Sequence, residues 1–130
     1  MHEKRIEIRR RDLDAYRHVN NAVYSTFLEE CRDEWVDGAY KRAVGSEDEA
    51  WDFVIARLRI DFRRELVLAD ESVIVRCGLA SLGRSSVTTR EEIRVGDELA
   101  AEAEAVLVFR DPATRLPRPL LEAERAALER

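Results

Sequence analysis

Polar residues that could perform acid–base chemistry are concentrated in one short stretch near the start of the chain. Within ten residues the sequence places Asp12, Asp14, His18, Asn20 and Asn21, directly ahead of an apolar, helix-like segment. Asparagine is a preferred N-cap, and the free N–H groups of a helix N-terminus stabilise negative charge. A carboxylate beside such a helix end could support acyl transfer. The same residues also suit an Asx-rich cap on a surface turn, so spacing alone leaves both interpretations open.

The segment after Asn21 predicts the long helix that would position these groups. Apolar residues recur at every fourth position and their neighbours widen the stripe: Val23, Phe27, Cys31 and Trp35, with Tyr24, Leu28 and Val36. The residues between them predict a charged outer face: Glu29, Glu30, Arg32, Asp33 and Glu34. Gly38 predicts the end of this helix after about 16 residues, and residues 39–45 could form a second short helix.

The remaining segments predict a sheet. Residues 4–11 predict a short strand, and after a polar loop over 45–50 the apolar period changes to two. One long strand follows, with a bulge between Ile55 and Leu58. Further strands are predicted over 73–79, 87–95 and 99–109, and a terminal helix over 120–130. Four consecutive strands predict an antiparallel sheet that carries the long helix, in a single α+β domain of residues 1–130.

The charge balance and the cysteine count exclude several classes of protein. The chain has 22 Lys and Arg against 27 Asp and Glu, a net charge of −5, which does not suit a general nucleic-acid binder. No apolar run could span a membrane and no signal peptide stands at the N-terminus, so we expect a cytoplasmic protein. Cys31 and Cys77 lack disulfide or zinc spacing and are interpreted as free thiols in the core.

The polar stretch and three later segments together resemble a known enzyme family. The segments are D-L-D-A-Y-R-H-V-N-N-A-V-Y, F-L-E-E-C-R-D-E-W, I-D-F-R-R-E-L-V-L-A-D-E and L-G-R-S-S-V-T, within residues 5–110. They resemble the hotdog-fold acyl-CoA thioesterases of the 4-hydroxybenzoyl-CoA thioesterase type, and most of all its long-chain acyl-CoA branch. The resemblance implies a curved antiparallel sheet wrapped around one central helix. It also implies a homodimer or homotetramer with active sites at the subunit interface.

The resemblance assigns roles to individual residues of the first segment. Asp14 matches the catalytic carboxylate, which would act as general base on water or as nucleophile through an anhydride. The oxyanion donor falls at the backbone N–H near Asn21. His18, Asn20 and Asn21 would shape the loop and cap the helix; His18 also counts among the catalytic residues, and Asn20 and Tyr24 would bind the substrate. Asp12 is interpreted as a loop or cap residue. Two departures are Arg17, where most members have Gly, and Glu65, where many have Pro.

The coenzyme A part of the implied substrate requires positive charge at the entrance. Candidates for contacts to its phosphates are Arg63, Arg64, Arg84, Ser85 and Ser86, together with Arg57 and Arg59. The acyl chain would pack against helix residues such as Val23 and Phe27. Asp12, Asp14 and His18 could in principle ligate a metal, but the resemblance implies no metal and no cofactor.

Other functions stay open on the sequence alone. The chain could bind acyl-CoA without turnover, serve an acyl carrier protein, or act as a hotdog hydratase that uses His18 as base. Glu30 on the helix is the alternative catalytic carboxylate, although it also suits an ion pair with a neighbouring arginine.

Overall fold

The computed structural model describes residues 1–45 and 49–130, so the predicted loop over 45–50 lies partly outside the described residues. Five strands are present: β1 (His2–Glu7), β2 (Phe53–Phe62), β3 (Ser72–Leu82), β4 (Ser86–Val95) and β5 (Glu98–Phe109). The helices are α1 (Asn21–Val44) and α2 (Glu122–Glu129), and two 3-10 turns cover Arg10–Asp12 and Leu68–Asp70. None of the described helices is both long and apolar enough to cross a membrane.

The strands form one antiparallel sheet in the order β1-β3-β4-β5-β2, so β1 and β2 are its edges. The predicted bulge in β2 is confirmed, because its pairing with β5 shifts register between Ile55 and Arg57. Helix α1 lies on the concave face and contacts β3, β1 and β4. The predicted α+β architecture is therefore confirmed, with the start of α1 at one end of the sheet.

Helix α1 is longer than predicted. The prediction that it ends at Gly38 is wrong, because one continuous helix runs to Val44. Gly45 then ends it with φ of 76°, and its N–H donates to the carbonyl of Lys41. Ala39 and Tyr40 are buried, and the Tyr40 ring meets Trp51 edge-on at 5.4 Å. Burial of these residues outweighs the cost of about 1 kcal/mol for glycine within a helix.

Arg32 does not lie on the outer face of α1, where the sequence pattern placed it. Its side chain is buried and donates to both carboxylate oxygens of Glu91 on β4, each at 2.8 Å. The Thr89 hydroxyl donates to the same carboxylate at 2.5 Å. A buried charge needs such partners, and here the helix and the sheet each supply one of the two charges. This pair ties the middle of α1 to the sheet.

Edge strand β2 presents an uncovered apolar face. Its residues Phe53, Ile55, Leu58, Ile60 and Phe62 pair with Phe109, Leu107, Ala105, Ala103 and Ala101 of β5, which belong to the core face of the sheet. Nevertheless Ile55, Leu58 and Phe62 are 41%, 38% and 47% exposed. Strand β2 thus combines a free backbone edge with exposed apolar side chains, a combination that favours pairing with another chain.

Candidate active site

Asp14 is held in a tight loop between Leu13 and Val19, which form an isolated antiparallel bridge. The Asp14 N–H donates to the carbonyl of His18 at 2.9 Å, and the Arg17 N–H donates to the carbonyl of Asp14 at 3.1 Å. One carboxylate oxygen of Asp14 accepts the Tyr16 N–H at 2.8 Å. The other lies 3.2 Å from Nδ1 of His18. The loop therefore fixes the orientation of the carboxylate before any ligand binds.

Arg17 occupies a backbone position that favours glycine. Its φ is 67°, in the left-handed region, directly after the turn that begins at Asp14. Short antiparallel loops often end in such a residue, and glycine is preferred there because a Cβ is disfavoured. The glycine that the resemblance implies at this position would adopt the same φ without that cost. The loop keeps its shape with arginine, but at an energetic cost in this residue.

We expect Arg17→Gly to stabilise the fold by about 1 kcal/mol, since glycine adopts this φ without the clash of a side chain. Denaturant unfolding of the variant and the parent chain measures the difference in the free energy of unfolding. Arg17→Ala, which retains a Cβ, should show little of this gain. A Gly variant that is less stable than the parent would contradict the strained-backbone explanation.

The N-terminus of α1 leaves one amide free to meet a ligand. The Asn20 side chain caps the helix by accepting the Ala22 N–H at 2.9 Å, and the Asn20 backbone carbonyl accepts the Val23 N–H. The Asn20 N–H donates to the carbonyl of Asp12 at 2.9 Å. Among the described residues these bonds leave the Asn21 N–H as the first-turn donor without an acceptor. It stands at the positive end of a 24-residue helix.

Asp12 and Val19 fasten this loop to the rest of the protein. Asp12 is 4% exposed, and its carboxylate accepts the Arg9 N–H at 2.8 Å. The Val19 N–H donates to the carbonyl of Leu66 at 2.7 Å. Asp12 therefore has the role of a loop residue. No group of three or more His, Cys, Asp or Glu side chains in the described part of the chain is arranged to hold a metal.

A cleft of about 300 Å³ opens beside the helix terminus. Its lining joins the loop, the first turn of α1 and the end of β2: His18, Val19, Asn21, Tyr24, Phe62, Arg63, Arg64 and Glu65. Tyr24 is buried, which raises the pKa of its hydroxyl, and that hydroxyl donates to the carbonyl of Arg64 at 3.0 Å. Its ring packs edge-on against Phe62 at 5.0 Å. Tyr24 thus forms the wall of the cleft with its ring.

The arginines at this cleft already have carboxylate partners. Arg63 pairs with Glu102 at 2.9 Å. Arg64 pairs with Asp70 at 2.9 Å and with Glu98 at 2.8 Å. The pairs with Glu102 and Glu98 hold the residues after β2 against the start of β5, and the pair with Asp70 fixes the segment that follows. Their guanidinium groups line the cleft but are not unpaired phosphate ligands.

The other predicted phosphate contacts lie elsewhere in the chain. Ser86 pairs with Val108 and the Ser85 carbonyl accepts the Phe109 N–H, so both are at the end of β5. Arg84 directly precedes them in the β3–β4 turn. The cleft is at the start of β5, roughly 20–25 Å away along the strand. One chain therefore does not bring Arg84, Ser85 and Ser86 to the cleft.

The other candidate site residues on α1 do not line the cleft. Glu30 lines a shallow pocket with Lys4, Arg5 and Arg9 at the β1 side of the helix. Phe27 is fully buried, whereas Val23 is only partly buried. Cys31 and Cys77 are buried free thiols, and burial raises the pKa of Cys31 to about 12. Their interpretation as core residues is confirmed.

Sequence reasoning missed a larger apolar cavity of about 490 Å³ between α1 and the start of β2. Its walls are mainly Val36, Tyr40, Trp51 and Phe53, with Asp33 and Asp37 among the other lining residues. Two aromatic residues close together after a predicted loop, Trp51 and Phe53, are the sequence signal from which this cavity could have been predicted. The pattern did not reveal it because Gly38 was interpreted as the end of the helix.

Comparisons with known proteins agree with this architecture. The model of the thioesterase-like superfamily matches residues 8–128. The chain is 33% identical over 113 residues to the long-chain acyl-CoA thioesterase FadM of Escherichia coli, covering 82% of this chain and 80% of that protein.

Solved structures give the same result. A thioesterase from Thermus thermophilus, described as complexed with coenzyme A and Zn, superposes with a TM-score of 0.84 at 33% identity and covers 98% of this chain and 90% of that one. The probable thioesterase YbaW of Escherichia coli superposes with a TM-score of 0.84 at 28% identity, covering 99% and 97%. The chain therefore belongs to the thioesterase-like superfamily and is a thioester hydrolase of the hotdog fold.

Proposed function

We propose that the chain hydrolyses acyl-CoA thioesters at the cleft between the Asp14 loop and the N-terminus of α1. The observation that carries the proposal is the pairing of an oriented carboxylate with a free helix-terminal amide. Asp14 is fixed by the Tyr16 N–H and faces His18, while the Asn21 N–H has no acceptor among the described residues. The long-chain acyl-CoA named for the Escherichia coli relative and the coenzyme A bound to the Thermus thermophilus thioesterase support a coenzyme A thioester as substrate.

In the proposed reaction the Asn21 N–H binds the carbonyl oxygen of the thioester. Asp14 takes a proton from water as the water oxygen adds to the carbonyl carbon, or adds to that carbon itself and forms an anhydride that water then cleaves. The carbonyl electron pair moves to the oxygen, where the helix terminus stabilises the charge. In either route the tetrahedral intermediate collapses, the carbon–sulfur bond breaks and the thiolate leaves. The thiolate takes up the proton that Asp14 removed from water or, when Asp14 is the nucleophile, a proton from solvent. His18 keeps the Asp14 carboxylate in place.

Release of free thiol from acyl-CoAs tests the proposal. We expect turnover with at least one member of a panel of short, long and aromatic acyl-CoAs, and slower release when the same acyl group is attached to an acyl carrier protein. Calorimetric binding of the acyl-CoAs should be measured in parallel. Binding without thiol release would instead support a non-catalytic acyl-CoA binding protein, and faster release from the carrier would support a biosynthetic role.

We also propose that β2 pairs with β2 of a second copy. Its backbone edge is free, and its concave face exposes Ile55, Leu58 and Phe62 although the opposing β5 residues are buried. Continuation of the sheet through this edge would satisfy the backbone groups and cover the apolar face. Because Phe62 also lines the cleft, the interface would adjoin the active site.

Leu58→Asp should therefore convert the oligomer to monomer, because a charge on the covered face would have to be buried without a partner. Sedimentation or light scattering of the pure protein measures the mass in solution. Leu121→Asp is the matched control, since Leu121 is 64% exposed at the start of α2 and away from β2. A monomeric parent chain, or an oligomer that survives Leu58→Asp, would contradict the β2 interface.

A further inference from the structure

Three exposed arginines flank Asp14 in the sequence. They are Arg10, Arg11 and Arg17. The ion pairs among the described residues include none of the three, whereas both arginines that line the cleft are paired with carboxylates. The three residues are therefore the cations beside the Asp14 loop that remain available to an anionic ligand.

The backbone ties these arginines to the reaction site. Arg10 and Arg11 belong to the 3-10 turn that ends at Asp12, whose carbonyl accepts the Asn20 N–H at 2.9 Å. Arg17 closes the turn of Asp14 through its own N–H at 3.1 Å. Both segments are thereby fixed relative to the cap of α1. None of the three lines the cleft, so their side chains lie outside it.

The backbone conformation of Arg17 does not itself call for arginine. A φ of 67° is unfavourable for arginine and favourable for glycine, so the turn itself gains nothing from the larger residue. A guanidinium group offers the planar, bidentate donor geometry that phosphate oxygens accept best.

We propose that Arg17, together with Arg10 and Arg11, binds the phosphate groups of the coenzyme A part of the substrate. This inference rests on the proposed function. Coenzyme A carries a pyrophosphate and a 3′-phosphate, which the pantetheine arm separates from the thioester. With the thioester bound in the cleft at the Asn21 N–H, the pantetheine arm would carry the phosphates out of the cleft, and the exposed arginines of the Asp14 loop would be available to them. Because the whole chain carries a net charge of −5, the three arginines provide the local positive potential that attracts an anionic substrate.

The test compares two thioesters of the same acid, one on coenzyme A and one on N-acetylcysteamine, which has no phosphate. We expect Arg17→Gly to lower the ratio of their kcat/KM values about tenfold, through a higher KM for the acyl-CoA. Arg17→Gln, which keeps a polar side chain but removes the charge, should lower this ratio by a similar factor. The effect should shrink as salt is added, since exposed charges are screened.

Arg115→Gly is the matched control. Arg115 also has a left-handed φ, 61°, but lies in the loop after β5, at the end of the sheet away from the cleft. The Arg115→Gly variant should have the same ratio of kcat/KM values for the two thioesters as the parent chain. Calorimetric binding of free coenzyme A, about tenfold weaker for Arg17→Gly, tests the inference even if no thioester is hydrolysed. Equal coenzyme A affinity in parent and Arg17 variants, or an Arg17 effect confined to acyl carrier protein, would overturn it.

Discussion

Asp14→Asn is expected to lower kcat for acyl-CoA hydrolysis by about 10²–10⁴-fold, the usual contribution of a positioned acid–base group. Asparagine keeps an oxygen that can accept the Tyr16 N–H, so the loop should retain its shape. It loses the negative oxygen that lies 3.2 Å from His18 and that would remove a proton or attack the carbonyl. Thiol release at saturating acyl-CoA measures the change, and circular dichroism verifies the fold.

Glu30→Gln is the matched control for this loss. Glu30 is the other carboxylate that the sequence offered, but it lines a pocket at the β1 side of α1. Its replacement should leave kcat within about twofold, as expected for a residue that touches no reacting group. If the Asp14 variant keeps its activity and the Glu30 variant loses it, the catalytic carboxylate is on the helix and the proposed site is wrong.

Arg32→Met is expected to destabilise the protein by about 3–5 kcal/mol. The substitution leaves the Glu91 carboxylate buried without its bidentate partner, and an unpaired charge in the core is costly. Replacing both residues, as Arg32→Met with Glu91→Leu, removes the orphaned charge and should recover most of the loss. Denaturant unfolding of the two variants and the parent chain measures the free energies.

The exposed pair of Arg63 and Glu102 provides the comparison for this buried one. Their side chains are 54% and 49% exposed, so Glu102→Gln should cost less than about 1 kcal/mol. A similarly small cost for Arg32→Met would mean that water reaches Glu91 and that the pair does not anchor α1. A double variant less stable than Arg32→Met alone would contradict the orphaned-charge explanation.

Local sequence signals predicted the parts of the site that are contiguous in the chain. Asn20 as the cap, Asn21 at the first turn and Asp14 four residues before His18 are fixed by short-range geometry, and the structure has Asn20 capping α1 and the Asp14 carboxylate beside His18. The β2 bulge was predictable because the period of two breaks between Ile55 and Leu58.

Features that depend on distant partners were not predictable from the same signals. Arg32 stands in a run of charged residues, and only Glu91, 59 positions away, explains its burial. Gly38 is a common stop, but packing by Ala39 and Tyr40 carries the helix past it. Arg84 follows β3, and the pairing of β3 with β4 places it at the end of the sheet away from the cleft. The sequence pattern of β3 alone does not reveal which end that is.

A crystal structure with a non-hydrolysable acyl-CoA analogue would show whether Asp14 and the Asn21 N–H act on the same thioester. We predict that the carbonyl oxygen of the analogue accepts a hydrogen bond of about 2.7–3.1 Å from the Asn21 N–H. The Asp14 carboxylate should lie beside the carbonyl carbon, within reach of it directly or through one water molecule. A carbonyl bound away from Asn21 and Asp14, for example in the cavity at Trp51, would contradict the proposed site.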